Sequence, residues 1–147
     1  MNLLTSGVVK AEEPAGPYDF AEIQLARIRA FRATHPDGEA AQVSHGLVVI
    51  PTDSASPEQR ARYEAYADRR TPPRTTSPQG PGRPLFAPDL VGASAEIAER
   101  LHGHAAFREV DEVAFALPFA FEHEDYERIL TDMATGLGPA PGRQSGT

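Results

Sequence analysis

Short apolar segments alternate with amphipathic segments along this chain, and that alternation limits the folds open to it. The clearest apolar segment, QVSHGLVVIP at residues 42–51, is rich in β-branched residues and predicts a strand buried on both faces. Residues 2–9 and 112–118 predict two further strands. The amphipathic segments predict four helices, at residues 20–33, from a cap at Asp53 or Ser56 to about residue 70, at 91–104 and at 124–137. This order predicts an α/β fold with about three parallel strands and flanking helices.

A proline-rich segment interrupts the alternation. Residues 71–89 read TPPRTTSPQGPGRPLFAPD and contain six prolines and two glycines. Because each proline removes a backbone donor and disfavours helix, the segment predicts a flexible loop. The chain is therefore predicted to consist of a strand–helix–strand–helix portion at 1–70, this loop, a second structured portion at 90–138 and a disordered tail at 139–147.

Charge and composition exclude several functional classes. The net charge is −7, whereas nucleic-acid and anionic-membrane surfaces are built from clustered Lys and Arg. There are no cysteines, which excludes disulfides and thiolate-bound metals. No apolar run approaches the roughly 20 residues of a membrane helix, and the first residues, MNLLTSGVV, lack the features of a signal peptide. The expected location is the cytoplasm, without nucleic-acid or membrane partners.

The densest group of polar residues is EHED at residues 122–125. A metal site here would use His123 with a partner one helical turn away, and Glu127 has that spacing. Acidic residues are also typical of the first turn of a helix, where the positive end of the helix dipole favours them. The second interpretation is favoured, and no metal site is expected. His102 and His104 are two residues apart, a spacing that points their side chains in different directions on a helix.

Two further positions are candidates for ligand contacts. Gly92 and Ser94 open a predicted helix, whose N-terminal backbone N–H groups could bind an anion. The favoured interpretation is that Ser94 is an ordinary helix N-cap. His45 interrupts an apolar strand. It is either a hydrogen-bonded core histidine, which is the favoured interpretation, or a polar side chain directed at a ligand pocket.

Several segments, in order, resemble the luciferase-like flavin-dependent monooxygenases. The segments DLVGASAEIAERL and DEVAFALPFAFEHEDYERILTDMATGLGPA are similar to the end of that family's chain. MNLLTSGVV and YDFAEIQLARIRAFRATHPDGEAAQVSHGLVVIP are similar to earlier segments in the same order. The proline-rich segment lies outside the similarity, and Leu47 stands where the family usually has an arginine.

The resemblance implies a (β/α)₈ barrel of the TIM type, of which this chain would contain only the carboxyl-terminal part. It implies an oxidoreductase that uses FMN or a deazaflavin on a small organic substrate, with molecular oxygen in the monooxygenases. Gly92 and Ser94 are the candidate cofactor-binding residues. His45, Pro118 and Phe119 are candidates for the substrate pocket, the last two because they follow the final strand at the active-site rim. The catalytic residues stay unassigned.

An incomplete barrel has consequences for how the chain would act. Three strands leave two open edges and one uncovered face, which predicts association with the same or another chain and loose packing in isolation. The chain is therefore expected to be a truncated luciferase-like protein that is inactive alone. Two alternatives stay open. One is a non-catalytic interaction subunit with an α/β half-barrel and no flavin site, and the other is a small α/β binding domain with a mobile proline-rich loop.

Overall fold

The computed structural model describes residues 3–5, 8–10, 19–70 and 84–138, and within them the chain folds as an α/β unit. The four helices are α1 (Phe20–Thr34), α2 (Pro57–Arg70), α3 (Ser94–Gly103) and α4 (His123–Asp132). The six strands are β1 (Leu3–Thr5), β2 (Val8–Lys10), β3 (Val43–Pro51), β4 (Pro84–Phe86), β5 (Leu90–Gly92) and β6 (Glu112–Ala116). None of these helices combines the length and the apolar character needed to cross a membrane. The tail at 139–147 and residues 71–83 of the proline-rich segment lie outside the described residues.

The central strand of the parallel sheet is β3. β1 pairs with its first three residues and β6 pairs with its residues 44–48, both in parallel orientation. The short β5 runs parallel to the last three residues of β3, so the sheet has four strands. The parallel α/β sheet expected from the sequence is confirmed, and β5 is an addition that the sequence did not predict.

A separate antiparallel pair, β2 with β4, was also not predicted. The single strand expected at residues 2–9 is divided between β1 and β2, which pair with different partners. β4 lies inside the segment expected to be a loop, and it begins at Pro84, a position where a missing N–H is tolerated. Leu85 is fully buried and packs against Phe20 of α1. Apolar burial therefore stabilises a strand in spite of the prolines around it.

Local capping sets the start of α1 and of α2. Asp19 accepts a hydrogen bond from the N–H of Glu22 at 3.2 Å, so it is the N-cap that the sequence predicted. Ser56 accepts from the N–H of Gln59 at 3.2 Å, and the Gln59 side chain accepts from the N–H of Ser56 at 3.0 Å. This reciprocal capping box shows that Ser56 is the cap of α2. At the other end of the chain, α4 continues into a π-helical turn at Met133–Leu137, close to the predicted end.

All four helices pack on one face of the sheet. Odd-numbered side chains of β3 point to this face, where Val43 contacts the apolar side of α1 and Leu47 and Val49 contact a larger cluster. The buried members of that cluster from α2, α3 and α4 include Tyr63, Ile97, Leu101 and Ile129. The core of the molecule therefore lies between the sheet and its helices.

The opposite face of the sheet has no helix over it in the described part of the chain. We call it the open face, and it consists of Ser44, Gly46 and Val48 of β3 and Glu112, Ala114 and Ala116 of β6. The β3 members are half-buried and the β6 members are exposed. The expectation that β3 is buried on both faces is therefore wrong for residues 43–48, where buried and half-buried positions alternate because helices cover only one side. The last three residues of β3 are all buried.

Candidate functional site

The carboxyl-terminal ends of β3, β5 and β6 lie at one edge of the parallel sheet. In α/β proteins this edge is where ligands bind, because the connections that follow the strands meet there. The connections in question are residues 52–56 after β3, residue 93 after β5 and residues 117–122 after β6. They place four of the five candidate ligand contacts at or beside this edge, namely Gly92, Ser94, Pro118 and Phe119.

A carboxylate of the same chain binds the N-terminus of α3. Ser94 is 3% exposed, and its backbone N–H lies 3.1 Å from each oxygen of the Asp53 carboxylate. The Ser94 hydroxyl donates to Asp53 Oδ2 at 2.6 Å. The N-cap is Ala93, whereas the sequence predicted Ser94 in this role. Because alanine has no side-chain acceptor, Asp53 supplies one from the connection after β3.

A second carboxylate, that of Glu96, binds the backbone N–H of Ala93, the residue before Ser94. Glu96 Oε2 accepts a hydrogen bond from the N–H of Ala93 at 3.0 Å. Gly92 has a φ of +153°, and a Cβ at this position would lie 2.7 Å from Glu96 Oε2. Glycine is therefore favoured here by the backbone conformation, and a larger residue would also displace the end of the Glu96 side chain.

The hydrogen bonds that Asp53 and Glu96 accept at the N-terminus of α3 bear on whether a flavin phosphate could bind there. The donors that would have to bind the phosphate are those of Ala93 and Ser94, and both are hydrogen-bonded to carboxylates. A phosphate would add negative charge beside Asp53 and Glu96, and like charges repel most strongly where water is scarce. In this arrangement the residues do not fit a phosphate group, and we derive no flavin chemistry from them.

The connection from β6 to α4 presents an aromatic side chain to solvent. Pro118 is buried, whereas Phe119 is 68% exposed. Two tyrosine hydroxyls fix the backbone here: that of Tyr66 accepts from the N–H of Phe119 at 3.1 Å, and that of Tyr126 donates to the Pro118 carbonyl at 3.1 Å. Ala120 has a φ of +63°, a left-handed conformation that costs a non-glycine residue about 1–2 kcal/mol. Of the two candidates, Phe119 is the one that a ligand or partner can reach.

The group EHED begins α4, in agreement with the favoured interpretation. Glu122 is the N-cap, and Glu124 and Asp125 lie in the first turn. His123 points into solvent, with 3.3 Å between its Nε2 and the Glu127 carboxylate. Across the described ranges, no set of three or more His, Asp or Glu side chains is arranged to hold a metal ion.

Asp125 has a role that the sequence did not indicate. It is 1% exposed, and its Oδ1 accepts hydrogen bonds from Gln59 at 3.1 Å, Arg62 at 2.7 Å and Tyr63 at 2.8 Å. Its Oδ2 accepts from the N–H of Glu122 at 3.3 Å. Burial raises the pKa of this carboxyl, but the hydrogen bonds outweigh burial and hold the pKa below its usual value. This cluster joins α2 to α4, and its side-chain donors lie 62–66 residues earlier in the chain.

His45 lies on the helix-covered face of the sheet. It is 1% exposed, and its Nδ1 lies 2.9 Å from Nε2 of the buried Gln24 on α1. Its ring centroid is 5.8 Å from that of His104. Burial, and to a smaller extent His104, lowers the pKa of His45 to about 4. These observations favour the core-histidine interpretation over the ligand pocket, because the side chain points away from the open face.

The structure therefore brings Gly92, Ser94, Pro118 and Phe119 toward one edge of the sheet and leaves His45 on the helix-covered side. Two of the polar residues at that edge, Asp53 and Ser94, bind one another. No protein-family model, curated protein or solved structure matches this chain.

Proposed function

We propose that this chain is the carboxyl-terminal part of a luciferase-like, flavin-dependent (β/α) barrel and acts together with a polypeptide that supplies the remaining strands. The observation that carries the proposal is the open face. Parallel sheets in α/β proteins are covered on both faces, whereas the helices of the described residues cover one face here. In a barrel the face without helices is the interior, which side chains from the opposing strands fill.

Residue sizes on the open face indicate what covers it. Gly46, Val48, Ala114 and Ala116 form an uncharged strip of mostly small residues, with Glu112 at one end. Barrel interiors are filled by layers dominated by bulky, branched side chains. The small residues leave room for bulky apolar side chains from a complementary polypeptide. Against a second copy of themselves they would leave voids, which close-packed interiors lack.

The unpaired sides of the two outer strands also indicate what kind of partner could extend the sheet. β1 and β6 each pair with β3 on one side, and no described strand pairs with their other sides. Two successive parallel strands of one polypeptide need a crossover connection of a dozen or more residues, usually a helix. A partner that adds two or more such strands in parallel is therefore itself built from β/α units.

A second candidate function is favoured by the N-terminus of α3. Asp53 and Glu96 already bind the donors that a flavin phosphate would use. This favours a non-catalytic interaction subunit, in which the open face binds a partner and no flavin is bound. The two candidates share the open face, and they differ in whether the N-terminus of α3 accepts a phosphate.

Removing the Asp53 carboxylate tests whether the N-terminus of α3 can accept a phosphate, which the flavin candidate requires and the interaction subunit does not. In Asp53→Ala the N–H and hydroxyl of Ser94 lose their acceptor, and helix N-termini with available N–H groups bind phosphate. If the chain belongs to a flavin barrel, the variant should bind FMN at least about tenfold more tightly than wild type in a fluorescence-quenching titration. Riboflavin, which lacks the phosphate, should bind the two proteins equally. Glu99→Ala removes an exposed acid from the same helix and should change neither affinity.

Three results would contradict the flavin proposal or part of it. If Asp53→Ala bound FMN no more tightly than wild type, the result would support the interaction subunit instead. An equal gain for riboflavin would show that the phosphate is not what α3 binds. Tight binding of FMN by the wild-type chain alone would contradict the claim that the site is incomplete without a partner.

A further inference from the structure

The strand β6 is the longest of the three strands that pair with β3. It has five residues, Glu112–Ala116, whereas β1 and β5 have three each. β6 pairs with β3 along one side, and no strand in the described part of the chain pairs with its other side. On that side, which we call the free edge, backbone N–H and C=O groups of alternate residues are directed away from the sheet. A free edge of this kind is a template for pairing with another strand.

The sequence of β6, EVAFA, lacks the residues that usually protect a free edge from pairing. Natural edge strands carry lysine or proline for this purpose, and β6 contains neither. Its one charged residue, Glu112, stands at the beginning of the strand and accepts a hydrogen bond from the Ser44 hydroxyl at 2.8 Å. Val113 and Phe115 pack against the core but are only half-buried. A strand that pairs with the free edge would therefore bury further apolar surface.

The side chains of β6 complement those of a second copy of the same strand in antiparallel orientation. In a register centred on Ala114, the two copies of Ala114 lie opposite each other, and each Val113 lies opposite a Phe115. Each Glu112 lies opposite an Ala116, so no like charges are opposed. Pairs of a β-branched and an aromatic residue stabilise neighbouring strands, whereas like charges directly opposite destabilise them. A parallel pairing in register would place the two Glu112 carboxylates side by side.

We propose that the free edge of β6 binds the free edge of β6 in a second copy of this chain, antiparallel and centred on Ala114, so that two sheets become one. A two-fold axis relates the copies, and the association therefore closes at a dimer. Because opposed residues in an antiparallel pair point to the same side, both open faces lie on one side of the dimer and stay uncovered. The dimer goes beyond the proposed function: it describes the chain without its complementary polypeptide, which would displace the second copy if it extended the sheet at β6.

Sedimentation velocity of the full chain measures the association. One strand edge buries less surface than the roughly 1,200–2,000 Å² of a standard interface, so the dimer is expected to be weak. The chain should sediment as a monomer at low micromolar concentration and increasingly as a species of twice the mass as the concentration approaches millimolar. A chain that stays monomeric over this range would overturn the proposal. Growth into trimers or larger species would overturn it as well, because the two-fold interface uses the free edge of both copies.

Cysteine substitutions test the register, and the chain has no cysteine of its own. In the register centred on Ala114, the two Cα atoms at this position are about 4.5–5.5 Å apart, a separation that a disulfide can bridge. The two Cα atoms at Ala116 are roughly 14 Å apart, because four residues separate each from the position opposite its counterpart. Under mild oxidation Ala114→Cys should form a disulfide-linked dimer at least about tenfold faster than Ala116→Cys, a change at an equally exposed alanine. Equal rates for the two variants would overturn the register.

Lysine substitutions at the same two positions test the pairing without a covalent bond. Ala114→Lys places two ammonium groups directly opposite each other and should raise the dissociation constant of the dimer at least about fivefold. Ala116→Lys places each lysine opposite a Glu112 carboxylate, so its dimer should be at least as strong as that of wild type. Both alanines are exposed, and far-UV circular dichroism should show the same fold for both variants. If Ala116→Lys weakened the dimer as much as Ala114→Lys, the proposed pairing would be overturned.

Discussion

Replacing Asp125 with alanine should lower the free energy of unfolding by about 3–5 kcal/mol, the cost of breaking a buried and hydrogen-bonded charge cluster. The carboxylate accepts from Gln59, Arg62 and Tyr63, and Tyr63 is fully buried. Its removal leaves the buried Tyr63 hydroxyl and Gln59 amide without this acceptor. Denaturant unfolding followed by far-UV circular dichroism measures the loss.

The neighbouring residue provides the control for this prediction. Glu124 lies in the same helical turn, and its side chain is 76% exposed and pairs with Arg128. Because exposed ion pairs contribute little, Glu124→Ala should change stability by less than about 1 kcal/mol. If Asp125→Ala were as mild as Glu124→Ala, the cluster would not be what joins α2 to α4.

A double substitution on the open face, Ala114→Lys with Ala116→Lys, should weaken the binding of a neutral apolar dye such as Nile red by at least about tenfold. The two alanines are exposed members of an uncharged strip, and a dye that covers this strip would have to desolvate the ammonium groups. Stability should change by less than about 1 kcal/mol, because both positions face solvent in the isolated chain. Fluorescence titration measures the affinity for the dye.

A single alanine-to-lysine substitution on a helix surface separates a local effect from a general effect of charge. Ala65 is exposed on α2, on the opposite side of the molecule from the open face. Ala65→Lys should leave dye binding as it is in wild type. Equal dye binding by all three proteins would contradict the assignment of the open face as the apolar contact surface.

Features encoded locally were predictable from the sequence. The α/β alternation, Asp19 as the cap of α1 and the acids at the start of α4 all depend on residues within one turn or one strand. The choice of Ser56 over Asp53 as the cap of α2 was left open by the sequence. The structure resolves it through contacts of Gln59, three residues away.

Features that depend on distant residues could not be predicted. Asp125 looked like one of several acids at a helix start, and only its contacts with α2, 62–66 residues away, distinguish it. Ser94 looked like its own helix cap, but Asp53, 41 residues earlier, supplies the acceptor. The apolar run in β3 predicted burial on both faces, yet over residues 43–48 burial depends on what covers the sheet, which an apolar pattern does not record.

The central claim is that the open face is a contact surface for a complementary β/α polypeptide and not an ordinary solvent-facing surface. The most direct measurement is nuclear Overhauser contact mapping between Nile red and a methyl-labelled sample of the whole chain. We expect contacts to the methyl groups of Val48, Ala114 and Ala116, which line the open face. Contacts confined to Leu130, which is 50% exposed on α4, or an absence of dye binding would contradict the claim.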